Sequence, residues 1–362
     1  MQRRSFLKKV TMGAAAGGAT LAAPAFAQDA PVIQWRLASS FPRSADAIYS
    51  GGEHVAKYIA EATDGRFQIR VFPGGELLPA LGVLDGVQNG TVECGHTASY
   101  YYYGKNPTLC FDAAVPFGMN TRQMNAWVLR GGGLDLLREV FESYNIVNFP
   151  CGFTGCQMGG WFRKEIKTVD DLEGLKFRSA AFAGAVLAKL GVLPQQIAGG
   201  DIYPSLEKGM IDAAEWIGPY DDEKLGFHKV APYYYFPGWW EATLQVSLYV
   251  NKDKFEGLPT HYQGIMTDAA ARAASVMLAT YDAENPRSLK RLVAKGAKLR
   301  IFPKPVMDAC FEASEETYAE LSAQDPGFKK VYGHYKAFLD QEIPWFRIAE
   351  GSFDQYMASM IR

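Results

Sequence analysis

The alternation of apolar and polar positions sets the first elements of this chain. Val32-Ile33-Gln34-Trp35-Arg36-Leu37-Ala38 repeats with period two, as a half-buried strand does, and Ser39-Ser40-Phe41-Pro42 closes it with turn chemistry. Residues 44–63 carry Ile48, Val55, Tyr58 and Ile59 on one helical face, and Gly65 marks the end of that helix. Phe67–Phe72 reads as a second strand and Leu81–Asn89 as a second helix. Val92–Ala98 is a third apolar segment that runs into Tyr100-Tyr101-Tyr102-Tyr103. Strands alternating with helices give a parallel sheet joined by crossovers. Ligands collect at the carboxyl ends of such strands, so the loop from His96 to Tyr103 is the first candidate wall of a site.

The rhythm continues past this point. A helix is expected over Arg122–Tyr144, interrupted by Gly131-Gly132-Gly133. That triplet is no phosphate cradle, because neither Lys-Ser or Lys-Thr nor an acid at dinucleotide spacing follows it. Asn145–Pro150 and Gly159–Arg163 are extended, and Thr168–Arg178 opens a second unit of the same kind. Within that unit, helices are expected at Ala180–Leu190 and Ile202–Lys208 and strands at Gln195–Ala198 and Ile211–Trp216. Gln245–Asn251 reads as a crossing strand. Beyond Pro259 the chain is mostly helical, with breaks expected at Pro286, the strand Leu299–Pro303, and Pro326. The fold class is α/β in two lobes with crossing hinge strands. Residues 32–150 plus about 250–305 form the first lobe, 151–249 the second, and 306–362 a helical C-terminal region.

The N-terminus changes where this fold is expected to work. Arg3-Arg4-Ser5-Phe6-Leu7-Lys8-Lys9 resembles a twin-arginine export signal, a Gly/Ala-rich apolar run follows, and Ala25-Phe26-Ala27 offers a peptidase site. Cleavage near Ala27 places the mature chain in the periplasm. Removing residues 1–27 takes away four cations and no acid, which moves the formal charge from −2 to −6 and argues against nucleic acid. The five cysteines, at 94, 110, 151, 156 and 310, cannot all pair within one chain. Cys151 and Cys156 are close enough to bridge, whereas a chain folded in a reducing compartment before export keeps its thiols. The spacing leaves that pair open.

Phe177-Arg178-Ser179, Gly209-Met210-Ile211-Asp212-Ala213-Ala214-Glu215-Trp216 and Leu248-Tyr249-Val250-Asn251-Lys252, in this order and spacing, resemble the DctP group of TRAP transporter solute-binding subunits. Gly95-His96-Thr97-Ala98, Val115-Pro116-Phe117-Gly118 and Phe236-Pro237-Gly238-Trp239-Trp240-Glu241 are similar to the branch that binds 2-oxo acids and related monocarboxylates. The resemblance implies two α/β domains closing over one anion, with delivery to TRAP membrane permease subunits. It implies that Arg178 meets the substrate carboxylate, and a guanidinium fork suits that partner. The alternative for Arg178 is a surface arginine paired with an acid such as Glu173.

An acid beside an anionic substrate needs a cation between them. The resemblance carries a bridging metal onto Gln157, Glu215, the backbone carbonyl of Trp216 and Glu241, with Gln157 and Glu241 also touching the substrate. An all-oxygen donor set suits Na⁺ or Ca²⁺ and leaves the two undistinguished. Zinc is disfavoured, because the five histidines show no ligand spacing. The aromatic runs supply wall candidates, with Tyr101, Thr97 and Phe182 singled out. The rival class is an extracytoplasmic metal-dependent enzyme acting on 2-oxo acids, which no catalytic motif in the chain supports. The long C-terminal helices either form a homodimer or pack on their own lobes.

Overall fold

The computed structural model describes residues 31–361, so the expected signal at 1–27 lies outside the described residues. β1 (Ile33–Ser39), α1 (Asp46–Ala62), β2 (Phe67–Phe72), α2 (Val83–Gln88) and β3 (Cys94–Thr97) follow the expected order. β1 is parallel to both β2 and β3. The expected glycine break separates α3 (Thr121–Arg130) from α4 (Gly133–Glu142). Gly132 is left-handed there, and a Cβ on Gly133 would lie 2.5 Å from the Trp127 ring, so the two helices meet only through glycine.

β4 (Ile146–Phe153) then leads towards a second sheet. That sheet is built from β5 (Trp161–Phe162), β6 (Lys176–Arg178), α5 (Ala181–Ala188), β7 (Leu193–Gln195), α6 (Gly199–Glu207), β8 (Ala213–Ala214), α7 (Pro219–Leu225) and β9 (Tyr233–Phe236) with their connections. β10 (Gln245–Asn251) returns to the first sheet and lies antiparallel between β3 and β4. α8 (Lys252–Glu256), α9 (Thr260–Ala294), β11 (Lys298–Ile301), α10 (Lys304–Gln324), α11 (Pro326–Phe346) and α12 (Ser352–Met360) complete the chain. The strand orders are β2-β1-β3-β10-β4 and β11-β9-β5-β8-β6-β7.

Three expectations need correction, and the open cysteine pair is decided. β11 pairs with β9 in the second sheet, although residues 250–305 were expected in the first lobe. Its backbone finds ladder partners only at the β9 edge. Pro286 does not break its helix. α9 runs through it, because the packing of this helix against α1, β4 and α7 outweighs one missing N–H donor. The strand expected at Gln195–Ala198 lies at Leu193–Gln195, in register with β6. Cys151 is buried, Cys156 is exposed, and both are free thiols.

Candidate functional site

The site forms where strand ends and crossing segments converge. Phe177 and Arg178 point to opposite faces of β6, so Phe177 packs on Phe162 and Trp240 while Arg178 enters the cleft. β8 runs parallel to β6 with Ala214 opposite Arg178, which sets Glu215 beside the guanidinium. Arg178 donates from Nη1 to the Glu215 carboxylate, and from the same nitrogen to the Glu215 carbonyl at 2.7 Å. Its Nε donates to the Ile197 carbonyl at 3.1 Å. The guanidinium lies 5.1 Å over the Trp216 ring. Nη2 has no hydrogen bond to any described residue, which leaves one edge of the fork free. The expected partner of a surface Arg178, Glu173, plays no part, and both Arg178 and Glu215 are about 1% exposed.

The other two polar residues arrive on the crossing segments. Gln157 follows β4 and Glu241 precedes β10. The Gln157 N–H donates to the Glu241 carbonyl at 3.2 Å, and the Gly238 N–H donates to the Gln157 carbonyl at 3.0 Å. The Gln157 side chain donates to Thr154 Oγ1 at 3.1 Å, which aims its own oxygen elsewhere. Glu215 Oε1 accepts from Arg178 and from the Ala180 N–H at 3.0 Å.

Among the three acid and amide side chains of this cluster, Gln157 Oε1, Glu215 Oε2 and both oxygens of Glu241 are buried without partners. Burial raises the Glu215 pKa, and Arg178 and the Ala180 N–H only partly offset it. Glu241 is pushed well up by burial and then by Glu215, despite Arg178, the Tyr100 hydroxyl and the Gln157 amide nearby. Burial opposes the charge of Arg178, but Glu215, with Tyr101, Tyr100 and Glu241, outweighs it and raises the pKa. Two buried carboxyl groups therefore share one arginine, and their orphaned oxygens need a cation or protons.

The remaining candidates fall differently. Tyr101 is buried in the 3₁₀ turn Ser99–Tyr102, and Arg178, Glu215 and Glu241 all act on its hydroxyl. Thr97 links Ser40 and Tyr102, at 2.7 Å from each hydroxyl, so its own hydroxyl is already committed. Phe182 contacts the rings of Tyr103, Tyr318 and Phe328, which is packing against the C-terminal helices rather than against the polar cluster. Tyr100, which was not singled out, is the tyrosine on whose hydroxyl Glu241 acts most strongly. The run of four tyrosines was visible, but a 3₁₀ turn repeats every three residues, and nothing in the sequence fixed its phase.

With this geometry in place, residues 38–325 match the bacterial extracellular solute-binding proteins of family 7, DctP. This chain belongs to that family of TRAP transporter solute-binding proteins. It is 48% identical over 329 residues, 91% of this chain and 90% of the relative, to a monocarboxylate 2-oxoacid-binding periplasmic protein of Nostoc sp.. A TRAP transporter solute-binding protein of Bordetella bronchiseptica superposes with TM-score 0.90 at 52% identity, over 91% of this chain and 98% of its own. That structure is a dimer of mixed occupancy with copurified calcium and picolinate in the bound active site. A relative from Pseudoalteromonas atlantica, with bound sodium and pyruvate, superposes with TM-score 0.87 at 41% identity, over 89% and 98% of the two chains.

The donor chemistry in this chain suits such an ion. Two carboxyl groups and an amide carry buried, unpartnered oxygens within one cluster, and hard cations prefer oxygen. Among the described residues no group of three or more His, Cys, Asp or Glu is placed to hold a metal, so an ion here would draw on the Gln157 amide as well as on the two carboxylates.

Proposed function

We propose that this protein captures a small monocarboxylate, a 2-oxo acid such as pyruvate or a 2-hydroxy acid such as lactate, outside the cytoplasm. It would then deliver the acid to the membrane permease of a TRAP transporter as a receptor and not an enzyme. The observation that carries this reading is the buried set of Arg178, with one free edge, facing orphaned oxygens on Gln157, Glu215 and Glu241. Arg178 orients the carboxylate, Glu215 holds Arg178 in place, and Tyr100 and Tyr101 exclude water from the pair. Gln157, Glu215, Glu241 and the Trp216 carbonyl would hold Na⁺ or Ca²⁺, which supplies the positive charge that lets an anionic acid approach two carboxylates. The signal at residues 1–27 is the route to the periplasm in this reading.

Intrinsic tryptophan fluorescence titrated with a panel of 2-oxo and 2-hydroxy acids tests the ligand and the ion together. Binding is expected to weaken at least about tenfold, near 1.4 kcal/mol, in chelated, sodium-free buffer and to recover with either ion. Unchanged titrations in that buffer would rule out the bridging ion, and turnover of any acid in proportion to protein would rule out a receptor alone.

The C-terminal end supports self-association. α12 buries none of its residues, and Trp345, Ile348, Phe353, Tyr356 and Met360 are exposed. A cavity of about 420 Å³ between α3, α4, β4 and α9 presents Leu129, Leu134, Phe153 and Leu278, an apolar surface suited to such a segment from a second copy. Light scattering is expected to give a dimer for residues 28–362 and a monomer once 343–362 are removed. A monomer in both cases would rule this out.

A further inference from the structure

Away from the ligand pocket, one buried acid joins the three segments that carry it. Asp112, at the end of the 3₁₀ segment Pro107–Asp112, is fully buried. Its Oδ2 accepts from Ser99 Oγ at 2.5 Å and from Ser247 Oγ at 2.8 Å. Its Oδ1 accepts from Asn148 Nδ2 at 2.7 Å and from Gln245 Nε2 at 3.0 Å. Ser99 begins the turn that presents Tyr100 and Tyr101, and it also accepts from the Tyr249 hydroxyl at 2.5 Å. Asn148 lies on β4, which continues to Gln157. Gln245 and Ser247 lie on β10, which follows directly from Glu241.

Two costs mark this arrangement as specific. Asn148 Oδ1 and Gln245 Oε1 are buried without partners, so both amides leave an acceptor unsatisfied in order to turn their N–H groups towards Asp112. Among the described residues no lysine or arginine pairs with the carboxylate. Burial pushes its pKa up to about 6, and only the hydrogen bonds from Ser99, Ser247, Asn148 and Gln245 hold it down. A packed apolar residue would join the same segments without these penalties. A carboxylate adds directional bonds that fix the tyrosine turn against both crossing strands at one point.

We infer that Asp112 is a positioning residue for ligand capture: without touching the ligand, it sets the tyrosine turn in register with the two crossing strands that bear Gln157 and Glu241. The inference rests on the monocarboxylate reading of the pocket. Losing the node lets the three segments shift independently, so the wall and the ion ligands no longer meet around one small acid.

Affinity and thermal stability are measured side by side on the full mature chain, with pyruvate, lactate and Na⁺ as probes. Asp112→Asn is expected to weaken binding at least about tenfold in protein that is still folded, because its NH2 group replaces an oxygen that accepted two hydrogen bonds. Ser247→Ala and Ser99→Ala, which each remove one donor, are expected to weaken it a few-fold. Asp112→Asn with Asn148→Asp restores an acceptor opposite a donor and is expected to recover most of the affinity, which a general loss of stability would not do. Wild-type affinity in Ser247→Ala and Ser99→Ala, with any loss confined to the melting temperature, overturns the inference even if Asp112→Asn fails to fold. A wild-type protein that binds neither acid overturns the functional reading instead.

Discussion

At the scale of single residues, the proposed chemistry rests on the Arg178–Glu215 pair. Glu215 occupies Nη1 through its carboxylate and its carbonyl, so it acts as a rigid seat for the arginine as well as a candidate ion ligand. Arg178→Ala leaves Glu215 buried without its cation. It is expected to lower monocarboxylate affinity by about 2–5 kcal/mol, roughly thirtyfold to several thousandfold, and to lower the melting temperature. Arg178→Lys keeps the charge but loses the fork, and at least a tenfold loss, about 1.4 kcal/mol, is expected. Titration calorimetry checks both, and wild-type affinity in either variant would remove Arg178 from the site. The gathering of Arg178, Gln157, Glu215 and Glu241 into one buried cluster was legible, because the motifs place them at strand ends and crossing segments. The packing of Phe182 against Tyr318 and Phe328 was not, for want of any sequence sign that α10 and α11 fold back to cover it.

Among the elements, the contact between α6 and Trp216 shows how a helix start shapes the pocket. A Cβ on Gly199 would lie 2.4 Å from the Trp216 ring, with two further ring atoms at 2.8 and 3.0 Å. Gly199→Ala therefore has to displace the indole on which the Arg178 guanidinium rests. It is expected to cost about 1–3 kcal/mol of stability and to weaken ligand binding, read as a lower melting temperature and a shifted fluorescence titration. A variant with both unchanged would show that Trp216 moves freely. β1, β2 and β10 were legible from alternation or from an unbroken apolar run. β9 was not, because Tyr234 stacks on Trp161 while Tyr235 packs on Phe302, so both faces of this strand are buried and its aromatic run has no polar phase. α7 was hidden for a related reason: its acids, Asp221 and Asp222, point inward.

Those two acids govern a property of the whole molecule. Asp222 Oδ2 accepts from Trp161 Nε1 at 2.9 Å and from the Tyr234 hydroxyl at 2.7 Å, and Asp221 accepts from the Tyr281 hydroxyl at 2.7 Å, so together they tie the second sheet to α9. Burial pushes each pKa up to about 7, while an unfolded aspartate releases its proton near 4. Between these values the folded chain holds protons that the unfolded chain has lost. Their contribution to stability is therefore complete below about pH 4 and disappears as pH rises through 7. Asp112 acts in the same sense around 6. His96 acts in the opposite sense: burial lowers its pKa to about 3, and burial lowers those of His54 and His228 as well, so each costs stability as the pH falls through about 6.5, where an unfolded histidine takes up its proton. From pH 8 to 7 an unfolded histidine is still mostly neutral, so the acids dominate. The ligand-free protein is expected to become more stable over that interval, with a slope of up to about 1.4 kcal/mol per pH unit for each proton gained. Urea denaturation at fixed ionic strength measures the slope, and Asp222→Asn should flatten it. Stability that is level or increases between pH 7 and 8 would mean that the pair is already ionised in the folded chain, with its two charges balanced by water or by a cation.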